Sequence, residues 1–309
     1  MEMPWGHRLN LVMRQSARPI EGVHGDEMRY AMGSPTWGKT SMRRLSIRWL
    51  VTVLVLLCGC GGGTRTSRLP STGPTRQDLN IPGNWELTTR STLGMSALAI
   101  GGSIIQSGST LSGAVHLDGS SCFEPATAIG LTGTLTDGNV SLTSAPVNDI
   151  IISLAGTITK KDGYPYQLTG TYTIDGGCAS GDQGNVIGYS VDGISGPWNG
   201  NLTTGGGADI HWGTVELGQG GASSEGSFGL TGDFTFDGAC FNSGKLTPGT
   251  FPTPSFILGT SVVLNIPTDN GTIAFVGTAD PDGLIRGTYT VTGGSCESTG
   301  TGYLSPWEY

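Results

Sequence analysis

From residue 81 onward, apolar and polar positions alternate with a period of two. Leu131, Gly133 and Leu135 are interleaved with threonines, and Val140 and Leu142 resume the alternation after Asp137-Gly138-Asn139. Leu264 and Ile266 precede Asp269-Asn270-Gly271 in the same way, and Ile273 and Phe275 follow it. Alternation of this kind marks strands buried on one face. Asp-Gly or Asn-Gly between two such runs marks a tight hairpin, because these residues accept positive φ. Asp162-Gly163 and Asp282-Gly283 repeat the device. No stretch beyond residue 80 carries a helical period, so the fold class is all-β. In the first half the runs predict eight strands, over 84–90, 97–106, 110–117, 126–136, 139–145, 150–159, 166–174 and 185–190. Sequential antiparallel hairpins with short links favour an up-and-down β-barrel, whose closure removes adhesive sheet edges. A two-sheet β-sandwich of the same strands is the alternative.

The pattern occurs twice. Gly83-Asn84-Trp85 with Leu87-Thr88-Thr89 recurs as Gly196-Pro197-Trp198 with Leu202-Thr203-Thr204, and Asp118-Gly119 leading to Cys122-Phe123 recurs as Asp237-Gly238 leading to Cys240-Phe241. Ile152-Ser153-Leu154-Ala155-Gly156-Thr157 answers Ile273-Ala274-Phe275-Val276-Gly277-Thr278. Gly170-Thr171-Tyr172 answers Gly287-Thr288-Tyr289, and Gly188-Tyr189 answers Gly302-Tyr303. Five landmarks in one order, displaced by 113 to 121 residues, identify a tandem duplication. The two β domains are expected at 81–194 and 195–309, with about eight strands each.

The front of the chain reads differently. Trp49 to Leu57 is an apolar run too short to span a bilayer, preceded by Arg43, Arg44 and Arg48, which is the build of a secretory signal. Leu57-Cys58-Gly59-Cys60 ends it, with small residues directly before Cys60. This signal and tetrapeptide resemble the lipobox of bacterial lipoproteins. The resemblance implies cleavage before Cys60, diacylation of its thiol and acylation of the new amino group, palmitate being a usual chain. Cys58 fits less well, because Leu57 would then stand next to the cut. The competing reading is an ordinary secreted protein cut within 59–63. Two or more acyl chains hold a protein on a membrane firmly. Gly61 stands where an aspartate would imply retention at the inner membrane, so the resemblance points to the outer membrane of the cell envelope. Residues 42–59 are thus the signal. Residues 1–41, with Pro4, Pro19 and Pro35 and no sustained apolar period, read as a start-site overcall or a disordered leader. The Gly-, Ser-, Thr- and Pro-rich residues 60–80 read as a flexible stalk.

Charge narrows the partners. Eight of the 16 basic and four of the 24 acidic residues precede Cys60, which leaves eight against twenty and a net charge of −12 on the anchored body. Nucleic-acid binding is excluded, since phosphate contacts need a basic surface. Contact with the membrane then runs through the covalent lipid.

Apart from Cys58 and Cys60, four cysteines remain. Cys122 and Cys178 are 56 residues apart, as are Cys240 and Cys296. Four cysteines allow three pairings, and the duplication selects one bridge per copy, since each ancestral copy had to be complete alone. Each bridge would contribute roughly 4 kcal/mol in the chain-entropy model. No metal site is expected, because the cysteines are widely spaced and only His116 and His211 accompany them. Neither histidine has a counterpart in the other copy, and no nucleophile or carboxylate is paired with either in a catalytic pattern. Asp280-Pro281-Asp282-Gly283 resembles part of a calcium loop but lacks the downstream glutamate, and reads as a turn. No phosphate loop, cofactor or enzymatic activity is expected.

Trp85 and Trp198 each stand two residues after a glycine on the first strand of a copy. This resembles the calycin barrels, the group of lipocalins and avidins, in which such a tryptophan closes one barrel end. The resemblance implies a core plug and an open end able to receive a small apolar ligand. The functional expectation is an envelope lipoprotein acting as a non-catalytic binding or structural module for a protein, glycan or small apolar ligand. A lipocalin-like carrier and a two-carboxylate polysaccharide hydrolase are the alternatives.

Overall fold

A computed structural model describes residues 79–120, 122–123, 128–161, 164–204, 209–249, 251, 254–281 and 283–307. Cys60, the signal, the stalk up to residue 78 and the Asp162-Gly163 turn lie outside the described residues. Both barrels belong to one compact unit, Pro70–Tyr309.

The first barrel is a closed antiparallel meander of β1 Gly83–Ser91, β2 Ala99–Ser107, β3 Thr110–Asp118, β4 Ile129–Thr136, β5 Asn139–Ser144, β6 Ile151–Lys161, β7 Tyr164–Asp175 and β8 Gln183–Val191. β8 returns to pair with β1, Tyr189 opposite Glu86. The hairpin expected at Asp137-Gly138 is present, with φ of 51° and 81°. All eight predicted strands occur, and the barrel rather than the sandwich is formed.

The second barrel comprises β9 Gly196–Thr204, β10 Asp209–Ala222, β11 Phe228–Asp237, β12 Ser243–Lys245, β13 Phe256–Leu258, β14 Ser261–Thr268, β15 Gly271–Ala279, β16 Ile285–Thr292 and β17 Ser298–Pro306. Pairing of β10 with β11 closes the ring. Its fourth position is shared by two short strands, because β12 and β13 both pair with β11 on one side and β14 on the other. Pro248, Pro252 and Pro254 fall between them. Proline has no N–H to give a ladder, so a central strand cannot run through this stretch as β4 does in the first copy.

In both barrels the apolar positions face inward. Val140, Leu142 and Ser144 of β5 are buried, while Asn139, Ser141 and Thr143 are exposed. Phe228, Leu230, Phe234 and Phe236 alternate likewise on β11. Each interior is one contiguous apolar cluster. Hydroxyl-rich outer faces over apolar interiors are the reverse of a barrel that spans lipid.

Trp85 and Trp198 plug the two cores with the same bond. Each indole Nε1–H donates to the carbonyl four residues before it, Ile81 and Ile194, at 2.9 Å. The disulfides clip the opposite ends. Cys122 joins Cys178 and Cys240 joins Cys296, both with Cα atoms 5.8 Å apart. Next to the first bridge, buried Asp182 accepts from Ser91 Oγ at 2.6 Å and from Tyr172 Oη at 2.8 Å. Burial, followed by this carboxylate, pushes the Tyr172 phenol up.

Candidate functional site

The chemistry collects at the seam between the barrels. On β1, Trp85 and Leu87 point into the barrel, so Asn84 and Glu86 point out. Asn84 is nevertheless only 2% exposed, because the β13–β14 turn of the second barrel covers it. Its Nδ2 donates to the Gly259 carbonyl at 2.7 Å, and its Oδ1 accepts from the Gly259 N–H at 2.8 Å. The amide thus stands in for a strand partner to one residue. Next along the strand, Glu86 Oε2 accepts from the Thr260 N–H at 3.2 Å. A side chain at position 259 would collide with that carboxylate, and Gly259 has φ +55°, so glycine suits both the turn and the contact.

A second contact lies on β3. His116 Nε2–H donates to the Glu225 carbonyl at 2.9 Å, and its ring lies 4.3 Å from that of Phe251. Gly226 packs so close to the Ala114 carbonyl that a Cβ there would collide with it. His116 is therefore a docking residue, buried by the second barrel. His211 lies exposed on β10, in register with Asp237. The four paired cysteines lie in the barrel-end loops, away from these contacts.

Beside Glu86 opens a cleft of about 520 Å³. The end of β8, the linker 192–195, Thr260 and the loop before β16 form its walls. Three carboxyl groups face it, Glu86, Asp192 and Asp280, with the aromatic rings of Tyr189, Trp198 and Trp307. Burial is the main cause that pushes the Glu86 carboxyl up to about 7. The Asp118 charge adds to it, and the Thr260 N–H bond opposes it. Partial burial also raises Asp192. Asp280 pairs with Arg286. Trp307 is 48% exposed, and its backbone N–H donates to the Pro197 carbonyl at 3.0 Å, which holds the ring at the rim. Tyr189 Oη accepts from Gln167 Nε2 at 3.1 Å.

Sequence reasoning found the tryptophans and the bridges but not Asn84, Glu86 or the cleft. A signal for them was present. At the two outward positions flanking the plug tryptophan, the second copy carries Pro197 and Asn199 instead. In the expected turn the Gly283 N–H donates to the Asp280 carbonyl at 3.0 Å, and Asp280 lines the cleft.

No protein-family model matches the chain, and no curated protein matches it. Among solved structures, kievitone hydratase from Nectria haematococca is 11% identical with a TM-score of 0.20, covering 72% of this chain and 88% of its own. A porin-like protein from Bacteroides uniformis is also 11% identical, with a TM-score of 0.14, covering 73% of this chain and 97% of its own. Similarities this weak carry nothing into the functional argument.

Proposed function

We propose that the chain is a lipid-anchored module of a bacterial cell envelope that binds a ligand without transforming it, in the cleft between its barrels. The observation that carries this reading is where the free volume lies. Each interior holds one contiguous apolar cluster of its own side chains, with a tryptophan at one end and a disulfide at the other. The cleft lies outside both interiors and has a volume within the range of small-molecule sites. A lipocalin-like carrier would use the interiors instead. The anchor rests on Cys60, its signal and the stalk, and the outer membrane is the proposed location. Hydroxyl-rich outer faces suit a body held in water above the lipid.

Native mass spectrometry of protein solubilised from membranes tests both halves. The expected masses carry an acylated diacylglyceryl Cys60 and a non-covalent ligand. Gly193→Trp, at an open position on the cleft wall, should lose that ligand. An unmodified Cys60 would refute the anchor, and a ligand kept by Gly193→Trp would refute the cleft.

One observation favours a second reading, the polysaccharide hydrolase. A carboxyl held near pH 7 beside other carboxylates is what a general acid requires. This reading predicts release of reducing ends from envelope polysaccharide by the purified protein, abolished by Glu86→Gln. The binding reading predicts no release.

A further inference from the structure

The walls of the cleft are one-sided in charge. Among the described residues that line it there is no Lys, Arg, His, Asn or Gln. Its charged side chains are the carboxyls of Glu86, Asp192 and Asp280, and an ionised carboxylate only accepts, while Tyr189, Thr260 and Trp307 add neutral groups that can donate. Two of the hydroxyls are already engaged: Ser190 Oγ with the Tyr166 N–H and carbonyl, and Ser195 Oγ with the Gln219 N–H. Trp198 has committed its indole N–H to Ile194.

Such a lining selects against most ligand classes in turn. An anion meets three carboxyl groups on a body of net charge −12. A neutral polyol would leave the carboxylates of the walls without any compensating charge. An ammonium group brings donors alone. Aromatic faces attract such a cation through their quadrupole, most strongly for tryptophan, and Trp307 stands half exposed at the rim. The remaining wall, with Pro197, Pro281, Pro306 and Ala279, is apolar and suits a hydrocarbon body.

We infer that the cleft is an organic-cation site, taking a primary ammonium group on an apolar body, with the charge against Glu86 and Asp192 and the body along Trp307 and the prolines. The inference rests on the reading that the cleft is the binding site. A cation beside Glu86 also gives that carboxylate, which burial disfavours, the partner it lacks among the charged groups facing it. The charge acting on it is that of Asp118, another acid, while Arg286 is drawn onto Asp280 on the cleft wall.

The test is a titration of the full-length, detergent-solubilised protein with benzylammonium, benzyl alcohol and benzoate, three probes sharing one ring, followed by NMR or tryptophan fluorescence. Benzylammonium should bind at least about tenfold more tightly than benzyl alcohol, and benzoate should not saturate. Glu86→Gln and Asp192→Asn should each reduce that preference severalfold. Glu86→Gln keeps an acceptor for the Thr260 N–H and Asp192 lies on an exposed linker, so both variants should melt cooperatively. Equal binding of alcohol and ammonium, or a preference unchanged in Glu86→Gln, overturns the cation inference. The cleft reading survives that result if Gly193→Trp removes the binding that remains. Undiminished benzylammonium binding by Gly193→Trp instead overturns the cleft reading itself.

Discussion

Replacing Glu86 by Gln should make the protein more stable, and only above a defined pH. Burial at the seam raises the folded-state pKa of Glu86 to about 7 from its ordinary 4.5. For an acid shifted upward, the folded state holds the proton more tightly than the unfolded chain. Its contribution to stability is therefore complete below pH 4.5, is lost as pH rises towards 7, and stays lost above it. The gap between 4.5 and about 7 corresponds to about 3 kcal/mol. Glutamine matches the protonated side chain in shape and still accepts from Thr260, so at pH 4 the two proteins should unfold alike. At pH 8 the variant should be more stable by about 3 kcal/mol. Urea unfolding followed by tryptophan fluorescence at pH 4, 6 and 8 measures the difference directly, and the other acids titrate in both proteins and cancel. A difference that stays flat with pH, or a variant less stable at pH 8, would refute the claim that Glu86 is a desolvated carboxyl.

Two further perturbations probe the docking and the clips. Asn84→Ala removes two bonds of about 1 kcal/mol each and strands the Gly259 N–H and carbonyl, so a loss of about 3 kcal/mol is expected in urea unfolding; a change below about 0.5 kcal/mol would show that water replaces the amide without cost. Cys122→Ser with Cys178→Ser opens a 56-residue loop and should cost roughly 4 kcal/mol, with the second barrel keeping its own bridge, as peptide mapping under non-reducing conditions would verify.

How far the sequence reached depended on which contacts stay within one copy. Strand positions were legible because alternation, hairpin turns and inward burial are all set between neighbours in sequence, as at Asp137-Gly138 between β4 and β5. The bridges were legible because each copy had to satisfy its own cysteines. The seam was not. Asn84 and Glu86 occupy outward positions, where alternation assigns them to water, and only the arrival of the β13–β14 turn 175 residues away converts exposure into burial. His116 is hidden for the same reason, since Glu225 and Phe251, which it meets, belong to the other copy. The divided fourth position of the second barrel was recoverable in principle, since the three prolines between Leu246 and Ser255 forbid a continuous central strand.

The docking mode also fixes how many cleft sites a duplicated chain can have. The outward face of β1 to β3 in one copy meets turns of the other, which makes the contact head-to-tail, and a head-to-tail contact between identical copies extends without limit unless one copy lacks a side of it. Here the second copy lacks the receiving side: Pro197 cannot make the paired amide bonds of Asn84, and Asn199 replaces Glu86. The first copy lacks the delivering side, because its β4–β5 turn is Asp137-Gly138 where the second presents Leu258-Gly259-Thr260 to Asn84. Among the described residues, two similar barrels therefore create one such seam, with the Glu86 cleft beside it. A site inside each barrel would instead be present twice. Titration of the intact chain should saturate at one ligand per chain. Saturation at two would move the binding sites back into the barrel interiors, against the packing of both cores.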